Sequence, residues 1–462
     1  MKVVETEKLA KFIAETDFEC IPKEAVHSAK NAILDWIGVT IAGSNEPVTA
    51  ILAEQVKRMG AIGEAGVICR AFRTSTDLAA WVNGTASHAL DYDDTFPNAA
   101  GYNFHPTVPI LSAVLALAEK KGASGKDVLT AYIVGIEVES RIGASIGRYS
   151  SEIGWHPTPV VGTTGAVAAS ANMLKLNMQQ ARMALGIASS LAGGLLQNFG
   201  TMTKPLHAGN SAKNGIVAAL LAKNGFTGNE SIVEGNFGFC SMFSGGKANG
   251  LGKNGQDLGK SWHIVSPGIS FKPYPCCRST HSSIDASLYL KNVRAVDANQ
   301  VVKIICKTSP QHLKLARFHR PKSAYEGKFS IPYGVAVALL RGKVLLRDFT
   351  EEKVSDPETQ RLLSKVEFQH PEEYNEDPMS LAQEVVLKLS NGAEYSYKVN
   401  TPKGDPQNPM SEDELSTKFR DCAHLSLPQI QIEKVLEMLS KLESLGNISE
   451  LMKTITYTDR GK

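Results

Sequence analysis

The chain has 462 residues, of which 43% are hydrophobic and 21% charged, proportions typical of a folded globular protein. Its 49 basic residues nearly balance its 47 acidic ones, and no basic run follows the pattern of a phosphate backbone, so nucleic acid is not an expected partner. No apolar run reaches the roughly 18 residues that a membrane span needs, so no membrane association is expected. A charged N-terminus and seven scattered cysteines predict a reduced, cytoplasmic location.

Helical periodicity dominates from Ile21 to about Lys223. The stretch that starts at Pro22 repeats apolar residues at helical spacing, which predicts a helix that ends at Gly38. Three later stretches, PILSAVLALAEKKG, GTTGAVAASANMLKL and SAKNGIVAALLAKNG, are rich in alanine and glycine. Such helices can pack closely and be buried on all sides. The pattern predicts a compact helical domain.

Strand signals begin near Pro267. The runs QVVKIICKTS and KVEFQHP are rich in β-branched and aromatic residues, and Asn391-Gly392 between alternating segments predicts a β-hairpin. The stretch TPKGDPQNP then interrupts regular structure with three prolines. After it, Ser411 and Glu414 have the spacing of a capping box, and the remaining C-terminus has helical character.

These patterns predict two domains. Residues 1–266 and 406–462 form a helical domain from both ends of the chain. Residues 267–405 form a smaller, strand-containing domain inserted between them.

Residues 88–109, HALDYDDTFPNAAGYNFHPTVP, concentrate titratable side chains in a segment without regular periodicity. The acidic and hydroxyl residues are Asp91, Asp93, Asp94 and Thr95, and His88 and His105 flank them. A charged loop of this kind is usually a solvated turn. The alternative is part of an active site, which requires partners elsewhere in the chain.

Three histidines, His105, His156 and His207, each occupy a short segment predicted to be non-helical and to lead into a helix rich in small residues. Helix N-termini expose unpaired N–H groups and favour anions. Further cations and polar groups follow nearby in sequence, namely Lys204, Lys213, Lys272, Arg278, Ser279, Thr280 and His281. This composition predicts a site for a substrate with two or three carboxylates. Taken singly, each histidine is more simply explained as structural, and no ligand spacing supports a metal site.

The segments LDYDDT, HPTVPILSAVLALAE, WHPTPVVGTTGAVAA, TKPLHAGNSAKNG and FKPYPCCRSTH, in this order, resemble the MmgE/PrpD family. This family contains 2-methylcitrate dehydratases, cis-aconitate decarboxylases and iminodisuccinate epimerases. The resemblance extends over nearly the whole chain. It implies a mostly α fold, with a large all-helical domain built from both chain ends and an inserted α+β lid domain. It also implies a homodimer that uses no metal or organic cofactor.

Matched motif by motif, the resemblance places active-site residues of the decarboxylases on Asp91, Thr95, His105, His156, Lys204, Lys272 and Tyr333, and the chemistry of the residues suggests the roles. Asp91, His105, His156, Lys204 and Lys272 are the expected catalytic residues. The two lysines would stabilise an enolate-like charge, His156 would act as base and His105 as acid, and Asp91 would orient an imidazole. The expected substrate-binding residues are Thr95, His207, Cys277, Arg278, His281 and Tyr333. Asp93 and Asp94 are expected to be structural, as capping residues or lysine partners.

The chain differs from the decarboxylase pattern at two places. Cys277 stands where the decarboxylases have a histidine, and the loop between Thr95 and His105 is longer. A thiol is a weak hydrogen-bond donor, and Arg278 could clamp a carboxylate instead. The sequence therefore predicts a cofactor-independent hydro-lyase of the 2-methylcitrate dehydratase type that releases no CO₂. The alternatives are a cis-aconitate decarboxylase-like carboxy-lyase, an iminodisuccinate epimerase-like isomerase, a non-catalytic scaffold and, more distantly, a metal-dependent hydrolase.

Overall fold

The computed structural model describes residues 5–96, 104–374 and 380–456. The long loop predicted between Thr95 and His105 falls largely outside these described residues. No helix within the described ranges is both long and apolar enough to cross a membrane.

The chain forms two compact units, Met1–Ile269 with Ser411–Lys462, and Ser270–Met410. The sequence predicts the corresponding boundaries after residues 266 and 405. Both ends of the chain thus belong to the first unit.

The first unit consists mainly of helices. Their bounds are α1 Glu5–Glu15, α2 Lys23–Gly43, α3 Pro47–Met59, α4 Thr76–His88, α5 Thr107–Lys121, α6 Gly125–Ile146, α7 Tyr149–Glu152, α8 Pro157–Met173, α9 Met178–Leu191, α10 Thr203–Lys223, α11 Phe239–Phe243, α18 Glu412–Ala423, α19 Gln429–Ser440 and α20 Ser449–Thr456. In α8 every residue after Pro157 is buried. The small side chains predicted for α5, α8 and α10 allow these three helices to contact one another in the interior.

Glycines set the distance between α4 and α10. A Cβ atom on Gly209 would lie 2.2 Å from the carbonyl oxygen of Trp81 and 2.4 Å from the Oγ1 atom of Thr85. No real side chain tolerates such contacts, so the two backbones approach as closely as they do only because this position is glycine. The contact holds the C-terminal end of α4 beside the first half of α10.

Two expectations for this unit are wrong in detail. The helix that starts after Pro22 continues through Gly38 to Gly43, because Gly38 faces the backbone of Phe419 and is needed there for close packing. The unit is also not wholly helical. Strands β1 Ala65–Val67 and β2 Phe72–Thr74 form a small antiparallel sheet.

The second unit contains a four-stranded sheet and short helices. The strands are β3 Val301–Lys307, β4 Val366–Gln369, β5 Gln383–Leu389 and β6 Glu394–Val399, and the helices are α12 His281–Asn292, α13 Pro310–Leu315, α14 Ala324–Gly327, α15 Ile331–Arg341, α16 Glu351–Val354 and α17 Pro357–Leu363. The strand order is β4-β3-β5-β6, with β3 and β4 parallel and the other pairs antiparallel. The hairpin predicted at Asn391-Gly392 is confirmed as the β5–β6 connection, where Gly392 has a φ of 85°.

The C-terminal helices return to the first unit, where α18 packs against α2. The predicted capping box of Ser411 and Glu414 is confirmed at the start of α18. Within this helix, the Lys418 ammonium lies 2.6 Å from Asp35 Oδ1 and donates a 2.9 Å hydrogen bond to the carbonyl oxygen of Tyr92. Helix α18 therefore reaches the loop that follows α4.

Candidate active site

The acidic loop that follows α4 is buried. Asp91, Asp93, Asp94 and Thr95 are each at most 4% exposed. Asp91 also has a φ of 53°, in the left-handed region that non-glycine residues seldom adopt. Buried charges require partners, so the interpretation of this segment as a solvated turn is wrong for its described residues.

The first carboxylate of the loop, Asp91, binds a lysine. The Lys204 ammonium donates a hydrogen bond to Asp91 Oδ1, and both side chains are buried. Lys204 lies in the first turn of α10, with its ammonium 5.2 Å from the centroid of the Phe199 ring. Where water is excluded, an ammonium group stabilises a nearby anion far more than it does in water. Lys204 is suited to that role.

The second carboxylate, Asp93, contacts two imidazoles. Its Oδ2 atom lies 2.8 Å from Nδ1 of His88 and 2.8 Å from Nδ1 of His105. Burial alone would raise the pKa of Asp93, but the charges and hydrogen bonds of His105 and His88 hold it well below its ordinary value. Asp93 is thus an ionised carboxylate, and the expectation that it is a capping residue or lysine partner is wrong.

His88 and His105 stand against each other, with their ring centroids 4.5 Å apart and their planes at 73°. Burial lowers the pKa of His88 to about 4, although Asp93 opposes the shift. His88 is therefore neutral at pH 7. On its other edge, His105 places Nε2 3.9 Å from Asp91 Oδ1, so this imidazole has a carboxylate near each of its nitrogens.

His156 and His207 form a second imidazole pair, with 3.2 Å between their Nδ1 atoms. Burial, and then the charge of Lys204, lowers the pKa of both rings. Both are therefore neutral at pH 7, and one donates to the other. Gly194 has a φ of 149°, and a Cβ atom there would lie 3.2 Å from the His207 ring, so glycine leaves room for this pair.

The predicted positions of the histidines relative to helices are correct for two of the three. His105 immediately precedes Pro106 at the start of α5, and His156 is the N-cap of α8. His207 instead lies inside α10, because Pro205 occupies its first turn, where a missing N–H costs nothing. A hydrogen bond of 3.1 Å from the His105 N–H to Thr158 Oγ1 joins the starts of α5 and α8.

Asp94 differs from its neighbours because it contacts only neutral partners. It accepts hydrogen bonds from the hydroxyl and backbone N–H of Thr107, whose hydroxyl also lies 2.7 Å from that of Tyr132. Burial raises the pKa of Asp94 well above its ordinary value. Asp94 is therefore protonated and holds the first residue of α5, and no lysine is among the partners found for it in the described part of the chain.

Thr95, an expected substrate-binding residue, is 2% exposed. Among the residues that the structure describes, its hydroxyl has no hydrogen-bond partner. A buried hydroxyl without a partner costs free energy.

The remaining expected site residues belong to the second unit, and all of them are buried. Lys272 is 1% exposed. The guanidinium of Arg278 donates to Asp405 Oδ2 at 3.4 Å and to the carbonyl oxygen of Lys403 at 3.2 Å. The backbone N–H of Cys277 donates to the carbonyl oxygen of Lys328 at 2.8 Å.

His281 and Tyr333 have partners inside the second unit. His281 Nε2 lies 3.1 Å from the carbonyl oxygen of Cys276. The Tyr333 hydroxyl donates to the carbonyl oxygen of Asp348, and burial raises the pKa of this phenol. Both side chains are fully enclosed in the core of their unit.

The first unit thus brings together Asp91, His105 and Lys204, with the pair of His156 and His207 close by. Phe199 links the two groups, since its ring contacts both the Lys204 ammonium and the His156 imidazole. The sequence interpretation did not include His88 or Asp93 in the site. Their spacing in HALDYDD, five residues across the end of a helix, is the signal that could have indicated them.

Three of these groups are close enough to hold a metal ion. Ligand atoms of His88, Asp93 and His105 lie within 4.8 Å of one another. Two imidazoles and a carboxylate suit a transition metal such as zinc. The expectation of a metal-free site, which the MmgE/PrpD resemblance implies, therefore stays a prediction.

Comparison with known proteins assigns the chain to a family. Residues 7–251 match the MmgE/PrpD N-terminal domain, and residues 274–443 match the MmgE/PrpD C-terminal domain. The chain belongs to the MmgE/PrpD family.

Curated relatives of this MmgE/PrpD protein are lyases by name. The cis-aconitate decarboxylase of Mus musculus is 30% identical over 97% of this chain and 93% of the relative. The Homo sapiens cis-aconitate decarboxylase is 31% identical over 96% and 93%. A mitochondrial 2-methylcitrate dehydratase of Yarrowia lipolytica is 25% identical over 93% and 86%. The expectation that the protein is a lyase of the MmgE/PrpD family is confirmed.

Proposed function

We propose that this protein is a carboxy-lyase that releases CO₂ from a small unsaturated tricarboxylate such as cis-aconitate. The observation that carries the proposal is the similarity to named cis-aconitate decarboxylases over almost the whole chain, at 30–31% identity against 25% for the dehydratase. The hydro-lyase predicted from Cys277 becomes the second candidate.

The chemistry of this step fits the groups in the first unit. When the carboxylate on the CH₂ group of cis-aconitate leaves as CO₂, its bonding electrons form a new C=C bond with the central carbon. The former C=C pair moves to the far carbon, next to a retained carboxylate, and that carbon takes one proton. The products are CO₂ and a methylene-substituted dicarboxylate. The reaction therefore needs a cation near the retained carboxylate and one proton donor.

Lys204 and His105 meet these two requirements. The buried ammonium of Lys204 supplies the positive charge, held in place by Asp91. His105, with a carboxylate near each nitrogen, supplies the proton. His156 and His207 remain neutral and can donate hydrogen bonds to substrate carboxylates without adding charge. The hydroxyl of Thr95 offers one further hydrogen bond.

The family resemblance adds a role for the second unit. The second unit acts as a lid and supplies Lys272 as a second cation, and the motif FKPYPCCRSTH is the support for that assignment. Cys277 contributes to substrate binding, while His281 and Tyr333, which are enclosed in the core of the second unit, support the segment that carries it. The enzyme works as a cytoplasmic homodimer without a cofactor.

A hydro-lyase acting on a hydroxylated polycarboxylate such as 2-methylcitrate is the second candidate. The observation in its favour is Cys277, a weak donor where the decarboxylases have a histidine. The other argument, that Arg278 retains a carboxylate, is weakened because its guanidinium already binds Asp405 and the carbonyl of Lys403. An iminodisuccinate epimerase remains a third possibility within the same family.

A substrate panel tests the proposal. The protein would be incubated with cis-aconitate, 2-methylcitrate, citrate and iminodisuccinate, with headspace CO₂ measured and products identified by NMR. The expected result is stoichiometric CO₂ and a vinylidene (=CH₂) proton signal from cis-aconitate only. An unsaturated product from 2-methylcitrate without CO₂ would establish the second candidate, and solvent deuterium at a stereocentre with no new double bond would indicate epimerisation.

A further inference from the structure

We propose that Phe199 is a positioning residue of the active site. Its ring shields the Lys204 ammonium and the His156 imidazole from water and restricts the side from which a substrate carboxylate reaches Lys204. This inference rests on the proposed function, in which Lys204 stabilises negative charge on the substrate. The motif TKPLHAGNSAKNG begins only at Thr203, so it assigned no role to Phe199.

The Phe199 ring covers two buried polar groups at once. The Lys204 ammonium lies over its face, 5.2 Å from the ring centroid. The His156 imidazole meets the same ring in a T-shaped contact, with 4.8 Å between the centroids. Lys204 is 3% exposed and His156 is 2% exposed, whereas Phe199 is only half-buried. The ring therefore separates both groups from water on the side where it lies.

Backbone hydrogen bonds tie the segment before Phe199 to the start of α8. The N–H of His156 donates to the carbonyl oxygen of Gly194, and the N–H of Leu196 donates to that of Gly154, both at 2.9 Å. The Phe199 N–H then donates to the carbonyl oxygen of Leu196 at 3.0 Å. The position of the ring is thus set by main chain that is joined directly to His156.

The segment after Phe199 leads directly into α10. The N–H of Lys204 donates to the carbonyl oxygen of Thr201, and the N–H of Thr203 donates to the Thr201 hydroxyl, both at 3.2 Å. Phe199 therefore lies on a short, hydrogen-bonded connection between the residues that start α8 and α10. A change of this one side chain alters the surroundings of both His156 and Lys204.

A ring in this position has two effects on the Lys204 ammonium. The face of an aromatic ring attracts a cation and repels an anion, so a carboxylate approaches Lys204 from a side that neither Asp91 nor Phe199 covers. The ring also excludes water, and a charge acts more strongly on a nearby anion where water is excluded. The second effect is greatest for charge that develops in the transition state, so loss of the ring should change kcat more than KM.

The kinetic test compares Phe199→Leu with Phe243→Leu. Phe243 is the matched control, because it is also half-buried but packs on Trp155, with ring centroids 5.2 Å apart. We expect kcat of Phe199→Leu on cis-aconitate to fall by about 5- to 30-fold, with KM changed by less than about threefold. Phe199→Tyr keeps the ring, and both it and Phe243→Leu should stay within about twofold of the parent. A Phe199→Leu enzyme with the parent's kcat, or an equal loss in Phe243→Leu, would overturn the proposal.

Chemical modification of histidines tests the shielding without turnover. The full-length protein would be treated with diethyl pyrocarbonate, and the rate at each histidine read by mass spectrometry. The exposed His27 gives the reference rate, and the buried His281 reports whether a variant is folded. In Phe199→Ala we expect the rate at His156, relative to His27, to rise about tenfold or more because water reaches the ring. Phe243→Ala should leave that ratio unchanged, and His281 should stay protected in both variants.

The two measurements separate this inference from the proposed reaction. If the substrate panel yields no CO₂ while Phe199→Ala exposes His156, the reaction is wrong and the shielding role stands. If His156 stays protected in Phe199→Ala, the role of Phe199 is wrong whatever the reaction. Modification of His281 together with His156 would show that Phe199 supports the fold as a whole, and would also overturn the proposal.

Discussion

Gly84 on α4 and Gly209 on α10 pack so closely that a Cβ atom on Gly84 would lie 2.8 Å from the Cα atom of Gly209. The carboxyl end of α4 carries His88, and the first half of α10 carries Lys204 and His207. The distance between α4 and α10 therefore determines how far His88 lies from Lys204 and His207.

We expect Gly209→Ala to lower the free energy of unfolding by roughly 1–3 kcal/mol, because the new methyl group meets backbone atoms that cannot rotate away. Denaturant titration would measure the change. Gly446→Ala is the control, since nothing lies within 4 Å of a Cβ atom at that position. Equal stabilities for the two variants would show that α4 and α10 can separate freely.

The role of Lys204 can be tested without leaving an unpaired buried charge. Lys204→Ala alone should abolish activity. It would also remove the lysine that pairs with the buried carboxylate of Asp91, and this loss is itself destabilising. The double variant Lys204→Met/Asp91→Asn removes both charges and should unfold near the parent's temperature while its rate falls by about 10²–10³-fold. Lys223→Met, at the exposed far end of α10, serves as control. More than half of the parent's activity in the double variant would exclude Lys204 as the stabilising cation.

Chelation should not change the catalytic rate. The sequence contains no metal-ligand spacing, and Asp93 lies at hydrogen-bond distance from both histidines. The measurement is turnover before and after exhaustive dialysis against a chelator. Activity that disappears and returns on addition of a divalent ion would contradict this prediction.

Glu139 on α6 predicts a specific dependence of stability on pH. It is fully buried, and neither carboxyl oxygen has a hydrogen-bond partner among the described residues. Burial, and then Asp94, raises the pKa of Glu139 well above 4.5. Above about pH 4.5 the carboxyl group loses its proton in the unfolded chain but keeps it in the folded chain. The free energy of unfolding therefore falls as the pH rises, until the folded group also ionises.

Replacement of Glu139 by methionine should remove this penalty. Relative to the parent, Glu139→Met should gain stability on the order of 1 kcal/mol per pH unit above about pH 5, and little below pH 4. Thermal unfolding across this pH range would show the gain. Glu437→Met, which removes an exposed carboxylate paired with Lys441, should show no such trend. A Glu139→Met protein less stable than the parent at pH 8 would disprove the assignment.

Much of the helical framework was predictable from local sequence. The hairpin at Asn391-Gly392 and the capping box at Ser411 depend on a few neighbouring residues, and both are confirmed. The end of α2 was not predictable, because Gly38 allows close packing against Phe419, nearly four hundred residues further along the chain. Close packing between distant segments has no local signal.

The candidate site was likewise predictable from the sequence only in part. Motif order was enough to group Asp91, His105 and Lys204, which the first unit does bring together. The choice between Asp91 and Asp93 as the partner of an imidazole depends on backbone direction, and that direction is set by the left-handed conformation of Asp91. Propensity does not indicate which of several neighbouring aspartates adopts it.

The contact of Lys418 with Asp35 and with the carbonyl of Tyr92 has a consequence for biosynthesis. The loop of Asp91 and Asp93 leaves the ribosome more than three hundred residues before the lysine that secures it. Until α18 emerges, the buried carboxylate of Asp35 lacks the ammonium of Lys418, and the contact between α18 and the loop after α4 cannot form. The whole second unit is translated in that interval. The loop can therefore reach its final contacts only after α18 has been synthesised, and a truncation before α18 should yield protein that chaperones retain.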